Sequence, residues 1–537
     1  MKRFYDFLDI ATRDYIGVSI FFDACVASSE VGMRMMQNPD CFVAGDEKAL
    51  GLHLERVENV RELIRHQPEV HDRLRHHLRH FPLLEDVWHM DWAHAELSMF
   101  KQFLYHYQQV AAIIADHSCF DWLSLTDADV LNQGVFDRMD QGSFYLNDTA
   151  SQSLATIRKS LASLKHEMDK ITLDMRTQLA SRYHVATHAD QWVVDRKQEE
   201  KATAMRGDVQ LMLVSETSES LRFALTMTDA FQNMKATYSE MLVTERNEEK
   251  RLFVEMASLL RKRTCEWKQA QDKILALDIV LAFADLSVRW HATKPAIEQT
   301  DYKGMTISGG RHMALKALVE NDGATYCPLD LDIDGAGILL TGTNMGGKTV
   351  VLQSIGLLQT LVQLGVYVPA HEYTCKLYDS VTAIYSSKET LGGLSGFGSE
   401  VKRLSDTLPH RDAGVLYLVD EPGRTTHVKE GRAIVQALVD VISASPSAIC
   451  LATHFDKLTT QALAHVKMAG LKRDRLKKAM TDTTGETVPL HRLMDYHVVA
   501  GKPGVQSGSD ALEVAELLGL DQDVVTRARA IMARDDD

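Results

Sequence analysis

Eight consecutive residues, Gly342-Thr343-Asn344-Met345-Gly346-Gly347-Lys348-Thr349, carry the strongest chemical signal in the chain. They fit G-x-x-x-x-G-K-[ST] at every fixed position and come directly after an apolar, strand-like stretch, Ile338-Leu339-Leu340. Glycines let the main chain wrap an anion without Cβ clashes, so that successive N–H groups face phosphate oxygens. A helix starting near Lys348 adds the positive end of its dipole. The chemistry is that of a bound nucleoside triphosphate, ATP, with Val350 closing the binding loop. Lys348 would contact the β- and γ-phosphates, and the Thr349 hydroxyl would ligate Mg²⁺. The bland alternative, a chance glycine loop, is weakened by the strand before it and by the acidic and imidazole groups downstream.

Two further segments supply those groups. Val415-Leu-Tyr-Leu-Val419 is an apolar strand that ends in Asp420-Glu421. Asp420 would hold Mg²⁺ through water, and Glu421 would orient and deprotonate the attacking water. Taken alone, the pair could be a solvated acidic turn after a buried strand. Ala452-Thr-His454 closes the next apolar strand, and His454 can sense a γ-phosphate there. An isolated histidine at a strand end is more often structural; the order phosphate loop, Asp-Glu, His favours the catalytic reading.

These groups need a sheet to hold them. From about 300 onward, short apolar strands alternate with helices, the pattern of a mainly parallel sheet covered on both faces. Residues 1–125 read as helical, with Leu52, Leu54, Val57, Val60 and Ile64 at helical spacing. His76 and His80, four apart, could share a metal, but Arg73, Arg75 and Arg79 would repel a cation, so a solvated helix face is the better reading. Leu154, Ile157, Leu161, Leu164, Met168, Ile171 and Met175 step by three and four, a seam that requires a partner helix. A second helical run is predicted from about 230 to 288. Together they read as an antiparallel lever, or more plainly as part of a helical bundle. The insert between them, about 183–225, holds a strand-like run at Gln210–Val214. Over 181–220 five basic residues (Arg182, Arg196, Lys197, Lys201, Arg206) face seven acidic ones.

Bulk properties set limits. The 537 residues allow roughly three or four domains. A formal net charge of −15 disfavours a protein that blankets phosphate backbones, without excluding a local basic patch. Seven scattered cysteines form no C-x-x-C pair and read as reduced thiols. No signal peptide and no membrane-length apolar run is evident, so a cytoplasmic location with no membrane partner is expected.

Several stretches resemble the MutS family. Asn344-Met-Gly-Gly-Lys348 is similar to the distinctive core of its phosphate loop, and Asp420–Gly431 resembles D-E-x-G-R-G-T-x-x-x-[DE]-G. Ala452-Thr-His-Phe-Asp-Lys-Leu458 resembles A-T-H-[YF]-x-x-L, Gly365–Ala370 resembles G-x-[FY]-V-P-A, and Ser395–Glu400 resembles S-T-F-x-x-E. Leu277–Ala284 looks like the segment that closes the family's lever, and Ala511–Leu520 with Arg527–Ala530 looks like its terminal dimer helices.

The resemblance implies an α/β P-loop NTPase domain of ABC type, preceded by an all-α core and long coiled-coil lever helices. The implied divisions are a helical core at 1–125, levers at 126–299 with a clamp-like insert, the ATPase domain at 300–510 and dimerisation helices at 511–537. It also implies a second MutS-like subunit, identical or not, with Ser395 reaching the γ-phosphate across the dimer; a helix N-cap is that residue's plainer role. Thr343, Pro422 and Thr425 stand where the family has proline, isoleucine and glycine, without removing a ligand. The family's mismatch-sensing and connector domains are not evident ahead of the helical core, and no nuclease-like segment comes after the ATPase. Phe253-Val-Glu255 fits the mismatch motif F-x-E but lies in a lever helix. The expected function is a DNA-associated ATPase of mismatch repair or recombination. The alternative is an ATP-driven reactivase for an adenosylcobalamin-dependent aminomutase, which an acidic surface and a short clamp would suit.

Overall fold

A computed structural model describes residues 1–82, 84, 94–140, 142–188, 191–298, 304–342, 346–386, 396–424, 427–455, 458, 461–472, 493–501, 511–517 and 520–535. The chain divides into two compact units, one formed by 1–81, 109–124 and 272–537, the other by 82–108 and 125–271.

A six-stranded sheet organises the first unit. Its strands are β1 (Gly337–Thr341), β2 (Ser380–Tyr385), β3 (Val415–Asp420), β4 (Ala448–Ala452), β5 (Ala464–Leu471) and β6 (Met494–Ala500), in the spatial order β2-β3-β4-β1-β5-β6. The first five run parallel, and β6 is antiparallel to β5. Strands β3 and β4 are buried almost throughout, as expected of near-continuous apolar strands covered on both faces. The helix Lys348–Gln363, next in the chain after β1 and the phosphate loop, is itself almost wholly buried. Its polar residues are satisfied internally: Gln363 Nε2 donates to the carbonyls of Phe42 and Tyr378, and Gln359 Nε2 donates to that of Lys376. A four-stranded sheet, in the order Ala296–Ile297, Glu372–Cys375, Gly304–Gly310, Leu329–Asp334, belongs to the same unit.

The amino-terminal part of this unit is helical, as its periodicity predicts: Ile10–Ile16, Ser19–Ala24, Glu30–Met36, Glu47–His66 and Pro68–Arg79. The buried stripe of Glu47–His66 is Leu50, Leu54, Val57, Val60 and Leu63. Leu52, assigned to that stripe from spacing, is 49% exposed, and Ile64 is only half-buried. Leu50 and Leu63 extend the 3.6-residue period that Leu54, Val57 and Val60 define, whereas Leu52 sits about 200° around the helix from Leu54. Of the histidines of Pro68–Arg79, His71 is buried and pairs with Asp285 at 3.0 Å. Among the described residues, no group of three or more metal-ligating side chains converges.

In the second unit the helix Gln152–Tyr183 lies along Asp229–Arg261. The predicted seam is its least exposed line, with Leu154, Leu161 and Met175 buried and Ile157, Leu164, Met168 and Ile171 half-buried. Ion pairs fix the register: Arg158 reaches Glu245 at 2.9 Å and Glu249 at 2.8 Å, and the Ser151 hydroxyl donates to Glu248. The helical run predicted from 230 to 288 is interrupted. Asp229–Arg261 ends and Thr264–Arg289 begins after a two-residue turn. The Thr264 hydroxyl donates to the Arg261 carbonyl, a local bond that competes with the helical ladder, and Trp267 packs edge-on against Phe100 and Phe103. Phe253 and Glu255 lie within Asp229–Arg261, where Phe253 is half-buried and Glu255 pairs with Arg138.

Between the two helices the chain forms a three-stranded antiparallel sheet, Gln191–Asp195, Ser220–Leu225 and Leu211–Glu216 in spatial order, with the helix Glu199–Arg206. Trp192, Val194, Met205, Leu221 and Phe223 make its small core. Among the described residues, no helix is long and apolar enough to cross a membrane.

Candidate nucleotide site

Three strand ends on one edge of the six-stranded sheet bring the candidate groups together. Register pairs Asp420 of β3 with Ala452 of β4, and Ala452 with Leu340 of β1. The phosphate loop, the acidic pair and the Thr453-His454 segment therefore leave the sheet side by side. The chain after β4 is tied back by the Thr453 N–H, which donates to the Leu340 carbonyl at 3.1 Å.

The glycines of the loop have specific reasons to be glycine. Gly342 has φ +136° and Gly347 has φ +94°, left-handed backbone that other residues avoid. Space is short as well: a Cβ on Gly342 would lie 3.0 Å from the Met468 Cβ, and one on Gly347 would lie 3.2 Å from the Tyr496 ring. Gly347 caps the helix that opens at Lys348.

Lys348 is buried, its ammonium donating to the Gly342 carbonyl at 2.7 Å and pairing with Glu421 at 3.2 Å. The Thr349 hydroxyl donates to Asp420 Oδ2 at 2.7 Å. Glu421 stands at φ +46°, its N–H donates to the Ala452 carbonyl, and its second oxygen lies 3.5 Å from Arg424. Val350 is on the first helical turn and is 38% exposed. His454 is exposed; its ring contacts Phe455, and among the described residues no hydrogen bond joins it to Lys348, Asp420 or Glu421. Thr343, Asn344, Met345, Ser395 and Thr425 lie outside the described residues.

Asp420 is the electrostatic focus. Burial raises its carboxyl pKa, hydrogen bonds from Thr349 and Tyr15 lower it, the charge of Glu421 raises it and that of Lys348 lowers it. Its Oδ1 is buried and has no hydrogen-bond partner among the described residues. An anionic oxygen left without a donor, beside a threonine hydroxyl, is a donor set suited to a divalent cation such as Mg²⁺.

Sequence reasoning missed three participants. Tyr15, from the amino-terminal helix Ile10–Ile16, donates its hydroxyl to Asp420 Oδ2 at 3.1 Å across a separation of 405 residues. Glu400 is buried and accepts the Gly423 N–H at 2.9 Å, which fixes the turn after Glu421. Arg424 adds the second cation beside Glu421. No local signal marks Tyr15. Glu400 and Arg424 stand inside stretches that resemble family motifs, and their type and spacing alone assign neither a role.

Residues 338–534 match the family model described as MutS domain V. The DNA mismatch repair protein MutS of Thermus thermophilus is 32% identical over 295 residues, covering 55% of this chain and 33% of that protein. Endonuclease MutS2 of Lactobacillus helveticus is 27% identical over 397 residues, covering 72% of this chain and 47% of that protein. Endonuclease MutS2 of Geobacillus sp. is 28% identical over 390 residues, with 71% and 46% covered. The chain thus spans one third to about half the length of these curated relatives. With the phosphate loop and the Asp-Glu strand end inside the matched stretch, residues 338–534 are similar to the ATPase domain of the MutS family, MutS domain V.

Proposed function

We propose that this chain is a Mg²⁺-dependent ATPase that works as a MutS-like dimer in DNA mismatch repair or recombination, using nucleotide state to move the helix pair Gln152–Tyr183 and Asp229–Arg261 as levers. The observation that supports it most is the meeting of Lys348, Thr349, Asp420 and Glu421 at the ends of β1 and β3, within the stretch matched by MutS domain V.

The division of labour derives from the donors. Main-chain N–H groups of residues 342–349 cradle the phosphates, and Lys348 exchanges its bonds to Gly342 and Glu421 for phosphate oxygens. Thr349 directly, and Asp420 through water, would hold Mg²⁺. When bound, the ion would supply positive charge to offset that of the phosphates. Glu421, released from Lys348, orients the attacking water and accepts its proton. His454 senses the γ-phosphate, and Ser395 contacts it from the opposing subunit. The helices Ala511–Leu517 and Gln522–Asp535, tied to each other by the Glu516–Arg529 pair, contribute to dimerisation.

The relatives are a DNA mismatch repair protein and an endonuclease, and no observation favours the aminomutase reactivase reading. The test is the ATPase rate and nucleotide affinity of the purified chain with and without Mg²⁺, alone and with duplex, mismatched or branched DNA at low salt. Metal-dependent hydrolysis that responds to DNA is expected. Hydrolysis indifferent to every DNA, with no binding at low salt, would remove the DNA role while leaving the ATPase in place.

A further inference from the structure

The helix Ile10–Ile16 is fastened to the ATPase domain at several points. Asp9, its N-cap, accepts from Arg403, and the Thr12 hydroxyl accepts the Ala383 N–H of β2 at 2.9 Å. The Tyr385 hydroxyl, at the end of β2, donates to the Ala11 carbonyl, and the Tyr15 ring stacks on Tyr385 with centroids 4.7 Å apart. The Ile16 carbonyl meets His312 Nε2 at 3.0 Å. Ile16 itself fits against Gly356, where a Cβ would come within 2.6 Å of its side chain. This clamp delivers the Tyr15 hydroxyl to Asp420 Oδ2.

We infer that Tyr15 is a positioning residue for the metal-binding carboxylate: by donating to Asp420 Oδ2 together with Thr349, it holds Asp420 with Oδ1 free to face a hydrated divalent cation. The inference rests on the ATPase reading. Two hydroxyl donors on one oxygen fix the rotation of the carboxylate and leave the other oxygen as the acceptor with no partner among the described residues. Partners in the second coordination shell of this kind orient ligands and tune the metal they hold. Tyr15 is buried, with its ring pinned by the stack on Tyr385, so its donor is pre-placed before any ion arrives. The amino-terminal helix thereby becomes part of the nucleotide site rather than a remote support.

Tyr15→Phe keeps the ring and its stacking and removes only the donor. The experiment titrates Mg²⁺ against ATP turnover in wild-type and Y15F chains, and measures binding of a fluorescent ATP analogue in excess EDTA. The Mg²⁺ concentration for half-maximal turnover is expected to rise roughly 10-fold or more in Y15F. Turnover at saturating Mg²⁺ and metal-free analogue affinity should stay close to wild type. A purely structural hydroxyl would lower the melting temperature and leave the metal titration unmoved, so superimposable Mg²⁺ curves overturn the inference. If the wild-type chain neither binds the analogue nor shows metal-dependent turnover, it is the ATPase reading that fails, and the role of Tyr15 falls with it.

Discussion

At the tip of the helix pair, Arg196 and Arg206 both reach Glu216, at 2.9 and 2.8 Å, and Arg182 reaches Asp208 at 2.6 Å. In the nucleotide site, Asp420 keeps one buried oxygen without a partner among the described residues, and Glu421 is drawn onto Lys348. The same residue types occur in both places. At the tip they neutralise one another, and the two largely exposed pairs on Glu216 contribute little stability. In the site, burial concentrates their fields and leaves Asp420 Oδ1 unmatched among the described residues. A charged residue satisfied by its neighbours is a poor guide to a ligand, whereas a buried one left unsatisfied points to what it was built to meet.

That contrast can be tested in descending order of effect. Glu421→Ala is expected to retain ATP binding and lose turnover by about 10²- to 10⁴-fold, the span of a general base; single-turnover hydrolysis checks it, and a near-normal rate would strip Glu421 of that role. Lys348→Ala should weaken nucleotide binding on the order of 100-fold, the loss of charge-assisted bonds worth about 3 kcal/mol, read by analogue titration. At the tip the outcome should be reversed in kind. Glu216→Ala frees two arginines, so if the tip meets DNA, the slope of log affinity against log salt should steepen by about 2. Its effect on folding should stay within about 1 kcal/mol, because the pairs are exposed. An unchanged slope would mean that these arginines do not face DNA phosphates.

Legibility divided along the same line. The phosphate loop, β1, β3 and β4 could be read directly, because each is local: fixed spacing of glycines, or an apolar run closing in acids. The seam from Leu154 to Met175 was readable for the same reason, since periodicity is a property of one helix. The turn at Lys262–Arg263 was not, because neither proline nor glycine marks it and the competing bond comes from a threonine hydroxyl. Leu52 shows the limit of counting apolar residues without holding to one face. Tyr15 was beyond reach: nothing near it in sequence distinguishes it from a core tyrosine, and its partner is met only when the helix Ile10–Ile16 folds onto the edge of a sheet whose strands begin at residue 337.

The main chain at Glu421, with φ of +46°, takes a conformation that suits glycine and disfavours residues with a Cβ, yet the proposed hydrolysis asks for an acid there. On the proposed reading, conformational ease is given up there for a reactive group, an instance of folding and turnover competing for a single position. Both Glu421→Gly and Glu421→Ala delete the carboxylate and its contacts with Lys348 and Arg424. The glycine chain should nevertheless be the harder of the two to unfold, by about 1 kcal/mol, and a pair of denaturant melts would show it.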